Sequence, residues 1–220
     1  MREKIAVLFS GGKDSTLAAF YTLSMGFDPL LVVFSPKLED SYMLHKPCLS
    51  LTPLQARAMG MELCSFDVSG EKEKEVDEML RHLRNLDLDG ISTGAVESEY
   101  QKQRIDYIGE ELGIPTYSFL WHRNREVMDD IGEMEIMLIK ASGYGISASD
   151  VGKPFRVYHP YIHPFLEGGE GETAVLDAPF FKKKVIIDES EVRIGKDTAE
   201  LLVKKAHLED KGVQHGKKGI

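Results

Sequence analysis

The sequence predicts an α/β protein, a doubly wound, mostly parallel sheet followed by a smaller C-terminal α+β unit. Three observations predict it. An unbroken apolar run, Ile5-Ala6-Val7-Leu8-Phe9, ends in a glycine turn, as a strand buried on both faces does. Strand-like and helix-like stretches then alternate to about residue 120. Beyond residues 124–145 that rhythm gives way to a stretch rich in Gly, Pro, Tyr and His, and then to short apolar runs.

Residues 5–9 form the first strand. Residues 15–25 follow as a helix, with Leu17, Ala18, Tyr21 and Met25 along one stripe. Residues 29–34 are a second apolar strand. Thr52-Pro53 reads as an N-cap followed by proline at the first helical position, and that helix stops at Gly60. Residues 61–66 are a third strand. Residues 71–86 form a charged amphipathic helix that buries Val76, Met79, Leu80, Leu83 and Leu86. Residues 90–93 are a fourth strand. Residues 98–112 form a helix ended by Gly113-Ile114-Pro115, and 116–120 a fifth strand. Right-handed crossovers place the C-terminal ends of these strands on one edge, where open α/β sheets bind ligands. Ser10 and Thr93 lie on that edge.

The second half opens with a strong strand at 135–141. Residues 143–166 read as irregular, and 173–176 and 184–187 as short strands. Residues 188–190 read as a turn into Val192-Arg193-Ile194. For 199–208 the apolar spacing fits strand or helix. The expected division is 1–124, 125–208 and a Gly- and Lys-rich tail at 209–220.

Composition excludes several classes. A chain of 220 residues suits one or two domains. At 42% hydrophobic it has ample apolar material to bury, so it is not a disordered chain. No apolar run approaches the roughly 18 residues of a membrane span. The N-terminal run lacks the length and cleavage site of a signal peptide. Cys48 and Cys64 cannot build a disulfide scaffold, and there is no CxxC. The 27 basic and 36 acidic residues leave a net charge of −9, which argues against broad nucleic-acid binding. The expectation is a soluble, cytoplasmic protein with no membrane partner and no strong nucleic-acid binding. Exposed-strand character in the C-terminal unit suggests a homodimer.

Two segments carry chemistry. Ser10-Gly11-Gly12-Lys13-Asp14-Ser15 sits between a buried strand and a helix. Glycines let backbone approach a polyphosphate closely, and the helix start presents free N–H groups and the positive end of its dipole. Lys13 adds a full charge, Ser10 and Ser15 add hydroxyls, and Asp14 is placed to hold Mg²⁺ on phosphate oxygens. It is not a Walker A loop, because GxxxxGK[ST] is absent. The second segment is Glu167-Gly168-Gly169-Glu170-Gly171-Glu172-Thr173, with three carboxylates in seven residues. By composition it is either a solvated acidic turn or a loop that holds a cation or takes a proton from an amine.

The SGGKDS loop resembles that of the N-type ATP pyrophosphatases, the PP-loop superfamily. That resemblance implies an adenine nucleotide alpha hydrolase-like, HUP-type sheet and cleavage of ATP between its α and β phosphates. The second segment, with Leu176-Asp177-x-Pro179-x-Phe181-Lys182, resembles the C-terminal signature of the diphthine–ammonia ligase family. Further stretches resemble that family in order along the chain: Asp40-Ser41-Tyr42-Met43 with His45, Gln55-Ala56-Arg57-Ala58-Met59-Gly60, Gly94-Ala95 with Ser98, Tyr100-Gln101 and Arg104, and Leu120-Trp121-x-Arg123.

The resemblance implies an ATP-dependent ligase with ATP and Mg²⁺ as cofactors. Its partners would be ammonium and elongation factor 2 bearing diphthine. It implies that Ser10, Gly11, Gly12, Lys13, Asp14 and Ser15 hold the pyrophosphate, with Lys13 and Asp14 acting in catalysis and Asp14 on the metal. Gly94 and Ala95 would lie near the adenosine. Tyr100, Gln101 and Arg104 would lie near nucleotide or substrate. Tyr42, His45, Arg123, Glu167, Gly168 and Gly169 would face the substrate, and Glu170 and Glu172 would act in catalysis. The alternatives are a PP-loop enzyme acting on a tRNA base or small carboxylate, and a nucleotide-binding protein without turnover. Against the family pattern, Phe165-Leu166 stands where a small pair is usual, Gly171 where an aromatic is frequent, and the 145–167 stretch is shorter. These departures are expected beside the substrate.

Other residues carry bland readings. His159 and His163 have a helical metal-ligand spacing, but Pro160 and Pro164 oppose a helix, which makes them loop residues. Trp121 reads as core. Lys182-Lys183-Lys184 fits an acidic docking partner and a lysine-protected edge strand equally.

Overall fold

The computed structural model describes residues 2–37, 49–142, 145–155, 163, 165, 166 and 168–212. Expectations placed on Tyr42, His45, Cys48, His159, Glu167 and the end of the tail lie outside the described residues.

The α/β prediction holds. β1 (Lys4–Leu8), α1 (Lys13–Ser24), β2 (Asp28–Pro36), α2 (Thr52–Met59), β3 (Glu62–Val68), α3 (Lys74–Leu83), β4 (Gly90–Ser92), α4 (Glu99–Leu112) and β5 (Thr116–Tyr117) follow in turn. The strands pair in parallel in the order β3-β2-β1-β4-β5. The chain steps outward from β1 to β3, then returns to lay β4 on the other side of β1. The switch point therefore lies between β1 and β4, and the loops leaving those two strands flank it.

The unbroken apolar run of β1 has its reason in the packing. Val7, Leu31 and Val33 belong to one core and Ala6, Leu30 and Val32 to another, because alternate side chains leave opposite faces of a strand. On the second face α3 contributes Val76, Met79, Leu80 and Leu83, and α4 contributes Ile105 and Ile108. On the first face α1 and α2 pack together with a second sheet.

That second sheet comes from the C-terminal half. After α5 (Asn124–Gly132), strands β6 (Glu135–Ala141), β7 (Gly171–Asp177), β8 (Lys183–Ile194) and β9 (Ala199–Asp210) pair antiparallel in the order β7-β6-β9-β8. Ile136, Val175, Leu176, Val185 and Leu201 join Leu17, Ala18, Leu31 and Met59 in one core. Burial on this scale, about 25 cal/mol per Å² of apolar surface, is what holds the two sheets together.

The structure corrects several sequence expectations. Thr52 is not a cap; it is the first helical residue, and its hydroxyl donates to Leu49 O at 2.7 Å. α5 was not foreseen, because its apolar stripe is short, resting on Val127 and Ile131 one turn apart. Residues 188–190 do not turn. They form an irregularity inside a continuous β8, with register shifts on either side of Glu189. The open reading of 199–208 resolves to strand, because β8 supplies a partner along its whole length. Among the described residues no helix is long and apolar enough to cross a membrane.

Candidate active site

The loop leaving β1 is held from three directions. Gly11 has φ +79°, in the left-handed region, and a Cβ there would lie 2.2 Å from Gln55 Oε1. Gln55 is fully buried, and its Nε2 donates to Gly11 O at 2.8 Å and to Val175 O at 2.9 Å. Val175 N–H also donates to Gly11 O, at 3.0 Å. Gly12 caps α1, and a Cβ on it would stand 3.2 Å from Thr173 O. Lys13 N–H donates to Thr173 Oγ1 at 3.2 Å. Loop and β7 are thus stitched together through backbone. A side chain at Gly11 would run into Gln55 of α2, and one at Gly12 would crowd Thr173 O of β7.

Two serines brace the loop from within. Ser15 Oγ accepts Ser10 N–H at 3.2 Å, donates to Gly12 O at 3.2 Å and lies 3.1 Å from Ser10 Oγ. The loop after β4 closes against the same turn. A Cβ on Gly94 would lie 2.8 Å from both Ser15 N and the Asp14 carbonyl carbon. Thr93 is buried, and its Oγ1 accepts Ala95 N–H at 3.4 Å. The SGGKDS loop, Gly94 and Ala95 therefore lie together at the switch point.

Lys13 is 3% exposed. Its Nζ donates to Asp14 Oδ2 and to Phe165 O, both at 2.6 Å. Asp14 Oδ1 is buried and has no hydrogen-bond partner among the described residues. The ammonium thus joins the SGGKDS loop to the chain just before the acidic segment, a contact that spacing in the sequence does not signal.

The acidic segment contributes two carboxylates with different surroundings. Glu170 is buried. Its Oε1 accepts His163 N–H at 3.1 Å and its backbone carbonyl accepts Ser142 N–H at 2.8 Å. Glu170 Oε2 has no partner among the described residues. Glu172 pairs with Lys140 Nζ at 3.0 Å across β6 and β7. A Cβ on Gly168 would lie 2.6 Å from Glu170 Oε1, so this glycine lets the chain pass over the carboxylate; Gly169 has φ +78°.

Two residues outside the predicted set close the arrangement. Glu97 accepts from Asn124 Nδ2 and faces His163 Nε2 at 2.7 Å. Those two hydrogen bonds, Asn124 first, hold the Glu97 carboxyl below its ordinary range against partial burial. No periodic signal marks this pair, and the spacing of His163 from His159 does not point to Glu97.

Tyr100 and Arg104 gather elsewhere on the same edge, between α3 and α4. The Arg104 guanidinium lies 3.4 Å from the Tyr100 ring centre and donates to Glu73 and to Tyr100 O. Burial pushes the Tyr100 phenol up, with Arg104 opposing. Gln101 N–H donates to the capping Ser98 Oγ at 3.4 Å. Arg123 precedes α5, donates to Phe119 O at 3.3 Å and lies over the Tyr21 ring at 5.3 Å.

The departures from the family pattern point into the protein. Phe165 and Leu166 are 3% and 8% exposed, so their bulk fills the core. A Cβ on Gly171 would lie 2.6 Å from Lys140 O.

Residues 3–116 match the family model described as diphthamide synthase N-terminal domain, and residues 124–208 that described as diphthamide synthase C-terminal domain. The chain is similar to a Homo sapiens protein named diphthine–ammonia ligase, at 31% identity over 94% of this chain and 93% of that protein. A Bos taurus protein of the same name matches at 31% identity over the same shares. The Schizosaccharomyces pombe protein of that name matches at 30% identity over 86% of this chain, which spans 37% of that longer protein. Among solved structures, a predicted subunit of tRNA methyltransferase from Methanocaldococcus jannaschii is similar at a TM-score of 0.47 and 17% identity, covering 66% of this chain and 80% of that one.

Proposed function

The chain belongs to the diphthamide synthase family, and from that premise we propose that it is an ATP-dependent amide ligase converting diphthine on elongation factor 2 to diphthamide. The observation that carries the reading is the junction of the two signature segments. The SGGKDS loop meets the acidic segment at its Thr173 end, through Lys13 N–H on Thr173 Oγ1, and the residues just before that segment through Lys13 Nζ on Phe165 O.

In this reading the polyphosphate of ATP lies on the loop and the start of α1, where N–H groups and the helix dipole favour anions. A diphthine carboxylate oxygen attacks the α-phosphorus, the bond to the bridging oxygen breaks, and pyrophosphate leaves. Ammonia then attacks the acyl carbon of the adenylate, its nitrogen gives up a proton to solvent, the bond to the AMP oxygen breaks, and AMP leaves with that electron pair. Before attack, ammonium must lose a proton. Glu170 Oε2 is the acceptor with free capacity, whereas Glu172 is engaged by Lys140.

Mg²⁺ fits the donor set. Among the described residues no three His, Cys, Asp or Glu side chains cluster as a metal cage, but Asp14 offers one buried oxygen without a partner. One carboxylate plus phosphate oxygens and water is the usual environment of this ion, which when bound would neutralise developing phosphate charge. Asp14 would hold it; Ser10, Gly12 and Ser15 would shape the phosphate site.

The test is release of AMP and pyrophosphate from ATP-Mg²⁺ and ammonium, with and without diphthine-bearing elongation factor 2. AMP formed only with that factor, and lost in Lys13→Ala, supports the reading. ATP binding without AMP in the presence of the factor overturns it.

A further inference from the structure

The backbone N–H and the two ring nitrogens of His163 each make a directed hydrogen bond. Its backbone N–H donates to Glu170 Oε1 at 3.1 Å. Its Nδ1 accepts Phe165 N–H at 3.3 Å. Its Nε2 faces Glu97 Oε2 at 2.7 Å. The Phe165 bond leaves no proton on Nδ1, so a neutral ring carries its proton on Nε2, as the Glu97 bond requires. Glu97 in turn is held by Asn124 at the start of α5.

The chain around these bonds is tightly wound. Leu166 N–H donates to His163 O at 2.9 Å and Gly169 N–H to Leu166 O at 3.2 Å. Leu166 has φ +61°, disfavoured for a residue with a side chain, and its side chain is nonetheless buried. Such a conformation persists only where its surroundings impose it.

We infer that His163 is a positioning residue: with Glu97 as its anchor it seats Phe165 and Glu170, the two ends of that segment, placing the Phe165 carbonyl on Lys13 and turning Glu170 Oε2, without a partner among the described residues, to the nitrogen nucleophile. This rests on the proposed role of Glu170. The two ends of the segment serve different partners, Phe165 O the nucleotide loop and Glu170 the nitrogen. His163 is the residue bonded to both Phe165 and Glu170.

The experiment compares His163→Ala, His163→Asn and Glu97→Ala in the full chain. Asparagine can accept the N–H two residues on, as in an Asx turn, and so replaces Nδ1 toward Phe165 without reaching Glu97. ATP–pyrophosphate exchange with diphthine-bearing factor reads the first half-reaction, and the KM for ammonium reads the second. In His163→Ala, which removes both ring bonds, ATP–pyrophosphate exchange should fall and the ammonium KM should rise, each about tenfold or more. His163→Asn should recover the exchange that the Phe165 bond supports, and Glu97→Ala should raise the ammonium KM in the same direction as His163→Ala. Amide hydrogen exchange at Phe165, Leu166 and Gly169 should quicken in His163→Ala. An unchanged ammonium KM or unchanged exchange in His163→Ala, or no recovery of exchange in His163→Asn, overturns the inference. If the parent protein forms no AMP with the factor, the functional reading falls by itself. Amide exchange then decides the seating role, and unchanged exchange in His163→Ala overturns it.

Discussion

Lys13 Nζ lies 2.6 Å from the carbonyl oxygen of Phe165, a residue 152 positions further along the chain. The cation of the SGGKDS loop thereby also ties down the chain just before the acidic segment. Lys13→Ala removes both functions. AMP formation should fall by about two to three orders of magnitude, the scale set by removing one preorganised charge-stabilising donor. Single-turnover AMP release measures it. Lys13→Arg should not restore activity, because a planar fork does not fit a site built around a compact ammonium between one carboxylate and one carbonyl.

Gly94→Ala should cost function through geometry alone. Its Cβ would stand 2.8 Å from backbone atoms of Asp14 and Ser15, which cannot rotate away. ATP affinity measured by calorimetry should fall about tenfold or more. Gly132→Ala, at a position with nothing within 4 Å, should leave it unchanged.

Gln55→Leu should destabilise the fold by about 1–3 kcal/mol, because Val175 O loses a buried donor and Gly11 O keeps only Val175 N–H. Urea denaturation gives the number. ATP affinity should fall with it, since Gly11 is part of the loop.

Glu97 predicts an acid limb. Its carboxyl is held below the ordinary range in the folded protein, by Asn124 and His163. Near and below that range the unfolded chain binds more protons than the native one. The Glu97 contribution is therefore complete above the ordinary glutamate range and lost as pH falls through the lowered folded value. Glu97→Gln should flatten the fall in stability as pH drops below the ordinary glutamate range, read by urea midpoints.

Tyr21 predicts an alkaline limb of opposite sign. Burial, then its hydrogen bond to Asp130, pushes the phenol from 10.0 to about 12. Between those values the native protein keeps a proton that the unfolded chain has lost. The contribution is thus complete below the unfolded value and declines as pH rises toward the folded one. Tyr21→Phe should remove that decline, and phenolate absorbance should place the titration.

Much of the fold was legible because its signals are local. The run Ile5–Phe9 and its glycine turn announce a strand buried on both faces, and β1 joins two cores as that pattern requires. Gly60 and Gly113 end helices at left-handed positions, as their placement after apolar periodicity suggested. Where the sequence misled, a neighbour decided. Residues 188–190 have turn composition, yet pairing with β9 draws them into one strand. Thr52 is a good cap, but the 3₁₀ turn Leu49–Leu51 before it already starts the helical path.

By itself the sequence determined the α/β class, the two signature segments and the sheet edge where the first of them lies, because hydrophobic period and glycine turns act over a few residues. Tertiary structure alone decided which atoms meet. Lys13 reaches Phe165, Glu97 faces His163, and Glu170 keeps one oxygen without a partner among the described residues while Glu172 is taken by Lys140. The reason is physical. A buried polar group must find its partner wherever the packed core brings one, and that distance is set by sheet stacking, not by spacing along the chain.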